Sequence, residues 1–231
     1  MSQEQEDNAP EVVATETSKG FSFDHFFTDN SKNLAYAGGA LLLVAALVYA
    51  YFGYLKPKKE KEANVAIFMA ERYYGMDSTQ KALNGDGTNL GLIDVANEYS
   101  GTLAGKRANF YAGRTKMNEG QFEEAITYLK KAKFSDEMVG PLTLGLIGDC
   151  YSELENLDEA ASYYMKAANA KENDFTTPYC LKKAATAYEK LGKWDKAYSA
   201  YKIIKEKYSK SRFGQEIDKY LARAEKASAN S

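Results

Sequence analysis

Hydrophobic and polar positions divide the chain into two different parts. From Leu34 to Leu55 no residue is charged, and a helix of about 22 residues, rising about 1.5 Å per residue, crosses a hydrocarbon core of about 30 Å. Beyond Glu62, apolar residues recur at helical spacing between Gly, Asn and Asp breaks, and no stretch alternates with period two. The pattern predicts an all-α protein in which a single transmembrane helix, residues 33–55, precedes a helical domain.

The residues that flank the apolar run favour an anchor that is retained. Aromatic rings favour the lipid headgroup boundary, and tyrosines crowd the C-terminal end of the run at Tyr49, Tyr51 and Tyr54. A basic juxtamembrane linker, residues 56–62, follows with Lys56, Lys58, Lys59 and Lys61. The residues before the run are acidic, unlike the basic start of a cleaved signal peptide. Lys19 and Lys32 precede the run, so the positive-inside rule places the helical domain in the cytoplasm.

Residues 1–32 are polar and acidic, and we expect a disordered tail because such a segment buries too little apolar area to offset its ordering entropy. Four aromatic residues precede the span at Phe21, Phe23, Phe26 and Phe27. They indicate a short segment in the membrane interface. Docking of this segment to a partner is the alternative.

One pattern of small residues occurs three times in the helical domain. Gly113, Ala125 and Ala132 recur 35 residues later, and the third copy follows after a further 37 residues, at Gly148, Ala160, Ala167, Ala185, Ala197 and Ile204. Each copy reads as helix, tight turn, helix, with larger residues between the small ones at Leu129, Tyr151, Tyr164, Tyr188 and Tyr201. The spacing resembles the tetratricopeptide repeat (TPR), whose period is about 34 residues. The usual tryptophan of each first helix and the proline near each repeat end are missing. The resemblance implies an α-solenoid.

The remaining breaks predict the other boundaries. A degenerate helical pair should occupy residues 63–105, with helices around 63–83 and 90–99 separated by the sequence NGDGTN. Three TPR-like repeats should occupy residues 106–213. A capping helix with a charged outer face should follow at residues 214–227.

Composition excludes several classes of function. With 30 basic and 32 acidic residues, the chain has no net positive charge that would attract nucleic acid. Cys150 and Cys180 form no C-x-x-C motif and are expected in the core. The single histidine, His25, lies in the tail, so no catalytic constellation, metal site or cofactor is expected. The glycine-rich stretch around Asp86 lacks a preceding strand and a Gly-Lys-Ser/Thr motif, and indicates a helix-breaking turn. We expect no enzyme and no small-molecule substrate.

TPR proteins bind polypeptides along the concave wall formed by the first helix of each pair. Matching the repeats residue by residue places a protein-binding groove at Arg107, Phe110, Arg114, Met117, Asn118, Asp149, Ser152, Tyr179, Lys182, Glu189 and Lys190. Phe110 and Arg114 replace the lysine and asparagine clamp of chaperone-docking TPRs. The mixture of aromatic, Met and charged groups suits extended polypeptide.

The order of parts, together with three strings, resembles the YfgM-like family of bacterial inner-membrane TPR proteins. The strings are FDHFFTDNSKN (23–33), ALNGDG (82–87) and EYSGTLAGKRANFYAG (98–113). The resemblance implies a single span in membrane lipid, a cytoplasmic tail and a periplasmic repeat domain, opposite to the lysine count. It also implies as partners the Sec translocon, a membrane-anchored periplasmic chaperone and exported polypeptides. A general scaffold for an envelope or cytoplasmic assembly complex is the alternative function.

Overall fold

The computed structural model describes residues 31–229, and those residues divide into two compact units at the peptide bond between Gly53 and Tyr54. The predicted acidic tail up to residue 30, with its aromatic segment and His25, lies outside the described residues. The described residues are helical and contain no strand.

The first unit contains the apolar helix α1 (Ser31–Ala50). Its described side chains are exposed, including Leu41 and Leu42 at 71% each. An 18-residue window in this region has a mean hydropathy of 1.8 and none of it is buried. Its length and composition are those of a membrane span or of a signal sequence near an N-terminus.

A π-helical turn, Tyr51–Leu55, follows α1 and precedes α2 (Lys56–Gly75). Pro57 lies in the first turn of α2, where a backbone N–H has no partner within the helix and its absence costs nothing. The residues predicted as a basic linker, 56–62, are therefore the first turns of α2.

The second unit continues with α3 (Thr79–Asn84) and α4 (Leu92–Glu98). The helix predicted over residues 63–83 is thus two helices, because the chain turns at Asp77, which has a φ of +54°. Between α3 and α4, the Asp86 carboxylate accepts hydrogen bonds from the Tyr73 hydroxyl at 2.7 Å and from the backbone N–H of Asn89 at 2.7 Å. Gly85 has a φ of +81°, and a Cβ there would lie 2.3 Å from the Asn89 carbonyl oxygen.

Three helix pairs follow. They are α5 (Leu103–Asn118) with α6 (Phe122–Lys131), α7 (Val139–Glu153) with α8 (Leu157–Ala170), and α9 (Thr176–Lys190) with α10 (Trp194–Lys207). The predicted capping helix is divided into α11 (Arg212–Gln215) and α12 (Asp218–Ser228). The predicted small residues at the helix crossings are buried.

Close approach of the two helices in a pair explains the two glycines among those small residues. A Cβ at Gly113 would lie 2.7 Å from Leu129 Cγ, and a Cβ at Gly148 would lie 2.7 Å from Tyr164 Cδ1 and Cε1. Leu129 and Tyr164 are themselves 1% and 4% exposed. In the first two pairs, the second helix therefore packs a large side chain directly onto a glycine of the first, whereas the third pair has Ala185 at this position.

Ion pairs separated by about one repeat connect successive first helices. Arg107 pairs with Glu71 at 2.8 Å, Lys183 with Asp149 at 2.6 Å, and Arg223 with Glu189 at 2.5 Å. The first pair joins α2 to α5 and the last joins α9 to α12. Helices α2 and α12 therefore extend the stack of first helices beyond the three pairs.

Candidate functional site: a groove along the first helices

Seven of the eleven groove residues predicted from sequence line one cavity of about 760 Å³. These seven are Met117, Asn118, Asp149, Ser152, Tyr179, Lys182 and Lys190. They come from the end of α5, the second half of α7 and the length of α9. The cavity is therefore formed where successive first helices lie side by side, and we call it the inner groove.

The other four predicted residues do not line this cavity. Arg107 donates to Glu71 at 2.8 Å and to the Asn64 side-chain oxygen at 3.2 Å. The Phe110 ring packs edge-on against the Phe134 ring at 6.0 Å between centroids.

Of the remaining two, Arg114 is exposed. Glu189 has a side chain only 11% exposed and binds Arg223. The structure thus assigns Arg107 and Glu189 contacts between helices, and the inner groove is centred on the second and third pairs.

A polar cluster forms the centre of the groove wall. Asp149 on α7 accepts a hydrogen bond from the Tyr164 hydroxyl of α8 at 2.7 Å and another from the Lys183 ammonium of α9 at 2.6 Å. Lys183 also lies 4.8 Å from the centroid of the Tyr179 ring. One carboxylate on α7 therefore joins this helix to both α8 and α9.

Burial and this carboxylate both act on the titration of the cluster. Burial is the main cause that raises the pKa of Tyr164, and the hydrogen bond to Asp149 adds to it. For Lys183 burial works in the opposite direction, but the hydrogen bonds to Asp149 and Tyr179 outweigh it and the pKa is raised. At neutral pH, Tyr164 is therefore neutral and Lys183 is charged.

Sequence matching missed eight residues that line the inner groove. They are Phe122, Glu153, Leu157, Tyr164, Lys183, Thr186, Ala187 and Phe213. Tyr164 had been expected only as a packing residue between helices. Phe213 belongs to α11, after the third pair, and its ring lies 5.5 Å from the Lys182 ammonium. Lys183 directly follows Lys182, a predicted groove residue, and this position was the one sequence feature that could have placed its side chain in the groove.

The groove thus combines apolar walls with separated charges. Met117, Phe122, Leu157 and Phe213 supply apolar surface, while Lys182 and Lys190 lie on α9. Glu153 places an acidic group on α7. Such a surface can bind an extended chain through apolar contacts and charge contacts together.

Other chemistry is not brought together. Residues 31–229 contain no group of three or more His, Cys, Asp or Glu side chains that could hold a metal ion. Cys150 and Cys180 are free and buried, and burial raises the pKa of each thiol to about 12.

Comparison with known proteins identifies the repeats. Three stretches match models of the tetratricopeptide repeat, at residues 107–133, 143–174 and 180–211. The fold is similar to the nearly identical TPR-like repeats of a protein described as a kinesin light chain from Podosopora anserina. The TM-score is 0.52 and the sequence identity is 16%, and the match covers 74% of this chain and 89% of that chain. A point variant of that protein gives the same TM-score and identity, with 88% of its chain covered. No curated protein matches the chain.

The similarity at 16% identity shows the fold, and the matching models identify the repeats as tetratricopeptide repeats. The prediction of an all-α chain with a long apolar helix followed by tetratricopeptide repeats is confirmed. Such repeats are typically non-catalytic, and no enzyme family matches. The repeats form a protein-binding scaffold.

Proposed function

We propose that the chain is a membrane-anchored adaptor of the bacterial inner membrane that binds extended polypeptide in the inner groove. In this role it is ancillary to the Sec translocon and assists a membrane-anchored periplasmic chaperone in handling exported polypeptides. The groove, with apolar walls and charges on separate helices, is the observation that carries the proposal.

The first helix supports the anchor. Its described side chains are unburied, and Leu41, Leu42 and Leu47 are 71%, 71% and 62% exposed. A soluble protein rarely leaves such a contiguous apolar surface in water. Insertion of α1 into lipid removes this surface from water.

The resemblance to YfgM-like proteins supports the partners and the periplasmic side. The lysines at the start of α2 favour the opposite side. A repeat domain in the cytoplasm would fit the second candidate function, a scaffold for an assembly complex unrelated to export. The side of the membrane therefore separates the two functions.

Thiol labelling of intact cells decides the side. Lys210→Cys places a thiol on the exposed end of the third repeat, and Ser18→Cys places one in the tail. The native cysteines are buried and provide little background. With a membrane-impermeant maleimide, we expect Lys210→Cys to react before lysis and Ser18→Cys only after lysis. The reverse pattern would support the cytoplasmic scaffold.

Photo-crosslinking in native membranes tests the groove and its partners. A photoreactive amino acid replaces Ser152 in the inner groove, and the matched control replaces Lys202, which lies on α10 outside the groove. We expect the Ser152 position to capture the translocon, a periplasmic chaperone or nascent exported chains, and the Lys202 position to capture none of them. Capture of only unrelated complexes from both positions would contradict the proposal.

A further inference from the structure

The second helices of the repeats carry a separate cleft with a basic rim. It has a volume of about 590 Å³ and is formed by α6, the loop after it, α7 and α8. Four lysines line it, at Lys130, Lys133, Lys166 and Lys171. We call it the outer cleft, and it shares no lining residue with the inner groove.

Aromatic rings hold two of these lysines in place. The Lys130 ammonium donates a hydrogen bond to the Tyr151 hydroxyl at 3.0 Å and lies 5.6 Å from the centroid of the Tyr163 ring. The Lys166 ammonium lies 4.4 Å from the same ring. Within residues 31–229, none of the four lysines forms a salt bridge. Rings therefore position the charges of Lys130 and Lys166, and no salt bridge among the described residues neutralises any of the four.

Among the residues that line the outer cleft, Asp136 is the acidic one. Its carboxylate accepts hydrogen bonds from the backbone amides of Met138 at 2.9 Å and Val139 at 2.6 Å. These amides are at the start of α7, so the carboxylate caps that helix. The cleft as a whole keeps a clear positive excess.

Below this rim the cleft is apolar. Leu129 and Ile147 are 1% and 2% exposed, and Leu144, Pro141 and Phe134 line the remaining floor. A charged rim around an apolar floor favours a ligand that carries both an acidic group and an apolar side chain.

A second cleft of about 630 Å³ continues the basic surface, and Lys166 belongs to both. Lys193 and Lys196 line this second cleft, where Lys193 pairs with Asp158. Lys196 lies 5.6 Å from the Tyr188 ring centroid. Two adjoining recesses joined by a lysine suit an extended segment better than a compact ion.

We propose that the outer cleft binds an acidic segment of a partner polypeptide, with an apolar side chain of that segment inserted between the lysines. The chemistry that recognises the partner is charge complementarity at the rim and apolar burial at the floor. Since this site is separate from the inner groove, the scaffold would have two binding surfaces, one for each partner. The proposal does not depend on the side of the membrane.

Fluorescence anisotropy tests the proposal with the full chain in neutral detergent. The probe is a fluorescein-labelled peptide of sequence DFEDLEDF, and the matched peptides are NFQNLQNF, without charge, and DSEDSEDS, without apolar side chains. We expect binding of the first peptide, at least tenfold weaker binding of the other two, and weaker binding as salt increases. No binding of the first peptide would overturn the proposal.

Variants locate the site. Lys130→Glu with Lys166→Glu should weaken binding by at least tenfold. Lys202→Glu with Lys210→Glu, which makes the same charge change elsewhere, should change it less than twofold. Lys182→Glu with Lys190→Glu tests the inner groove instead: loss of binding in this variant alone would place the peptide there and refute the assignment to the outer cleft. Equal losses in all three double variants would reduce the effect to net charge and also refute the assignment.

Unfolding of a variant and lipid binding in the cleft are each tested by one further measurement. Circular dichroism of each variant checks that the helices are intact, so that a loss of binding reports the cleft and not unfolding. Phosphatidylglycerol added to the micelles tests a lipid headgroup as the occupant. If that lipid abolishes binding of the peptide, the cleft binds lipid and the polypeptide proposal is wrong; if the peptide stays bound, the lipid is not the occupant.

Discussion

Replacement of Gly148 by alanine tests the packing argument that underlies the whole stack. A Cβ at this position would lie 2.7 Å from two ring atoms of Tyr164, closer than side-chain carbons normally approach. The ring is 4% exposed and its hydroxyl is held by Asp149. The ring therefore has little freedom to move without losing that hydrogen bond.

The expected cost follows from two opposing effects. Alanine is better than glycine within a helix by about 1 kcal/mol. Overpacking of a filled core costs about 1–3 kcal/mol, and displacement of Tyr164 from a charged acceptor costs about 1.5–3 kcal/mol more if the bond is lost. After the helical gain is subtracted, the terms give a loss of about 0–2 kcal/mol if the bond is kept and about 1.5–5 kcal/mol if it is lost, so we expect Gly148→Ala to lower the free energy of unfolding by about 2 kcal/mol.

The same helix supplies a matched control. At Gly145, also on α7, a Cβ would lie 3.6 Å from the Cys180 sulfur, an ordinary contact. Gly145→Ala should therefore leave stability unchanged or raise it by up to about 1 kcal/mol. The two variants carry the same chemical change and differ only in what the new methyl group meets.

Urea unfolding of the full chain in neutral detergent, followed by circular dichroism at 222 nm, measures the difference. With a urea dependence of about 2 kcal/mol per molar, the midpoint of Gly148→Ala should lie about 1 M below that of Gly145→Ala. Coinciding midpoints would refute the reasoning, because they would mean that the Tyr164 ring yields without cost.

Two further predictions concern titration. Tyr164 and Lys183 have pKa values raised in the folded state, so the stability they contribute is present below their unfolded pKa values of about 10 and is lost as pH rises through their folded pKa values. The thermal unfolding midpoint should therefore decrease as pH is raised beyond 10, and it should decrease less in Asp149→Asn. An identical pH dependence in both proteins would contradict this. Cys150 and Cys180 are buried with thiol pKa values of about 12, so a chromogenic disulfide reagent at pH 8 should react with them only after denaturation; rapid reaction of the native protein would show that the core opens.

Helix-crossing positions were predictable from sequence because they depend on local periodicity alone. Gly113 and Gly148 occur at one register, and the register itself requires small residues wherever two helices touch. The end of α2 at Gly75 was harder to predict from sequence, because the apolar pattern continues through Ala82 and Leu83 although the backbone turns at Asp77.

The groove was predictable in part. Asp149 and Lys182 follow from the register of the first helices. Tyr164 lies on a second helix, and its contribution depends on the length of the tyrosine side chain reaching across to Asp149. Phe213 contributes through the way α11 closes on the third pair, which no repeat pattern contains. Contacts between successive helices, and not periodicity, decide these two positions.

The ion pairs between first helices couple some neighbouring helices of the stack and not others. Arg107 with Glu71, Lys183 with Asp149, and Arg223 with Glu189 each connect only neighbours. Among the described residues no ion pair joins α5 to α7, so these contacts do not form a continuous chain along the stack. A polypeptide that lies across several first helices at once would connect α5 with α7, so the occupant itself would supply long-range rigidity to the scaffold.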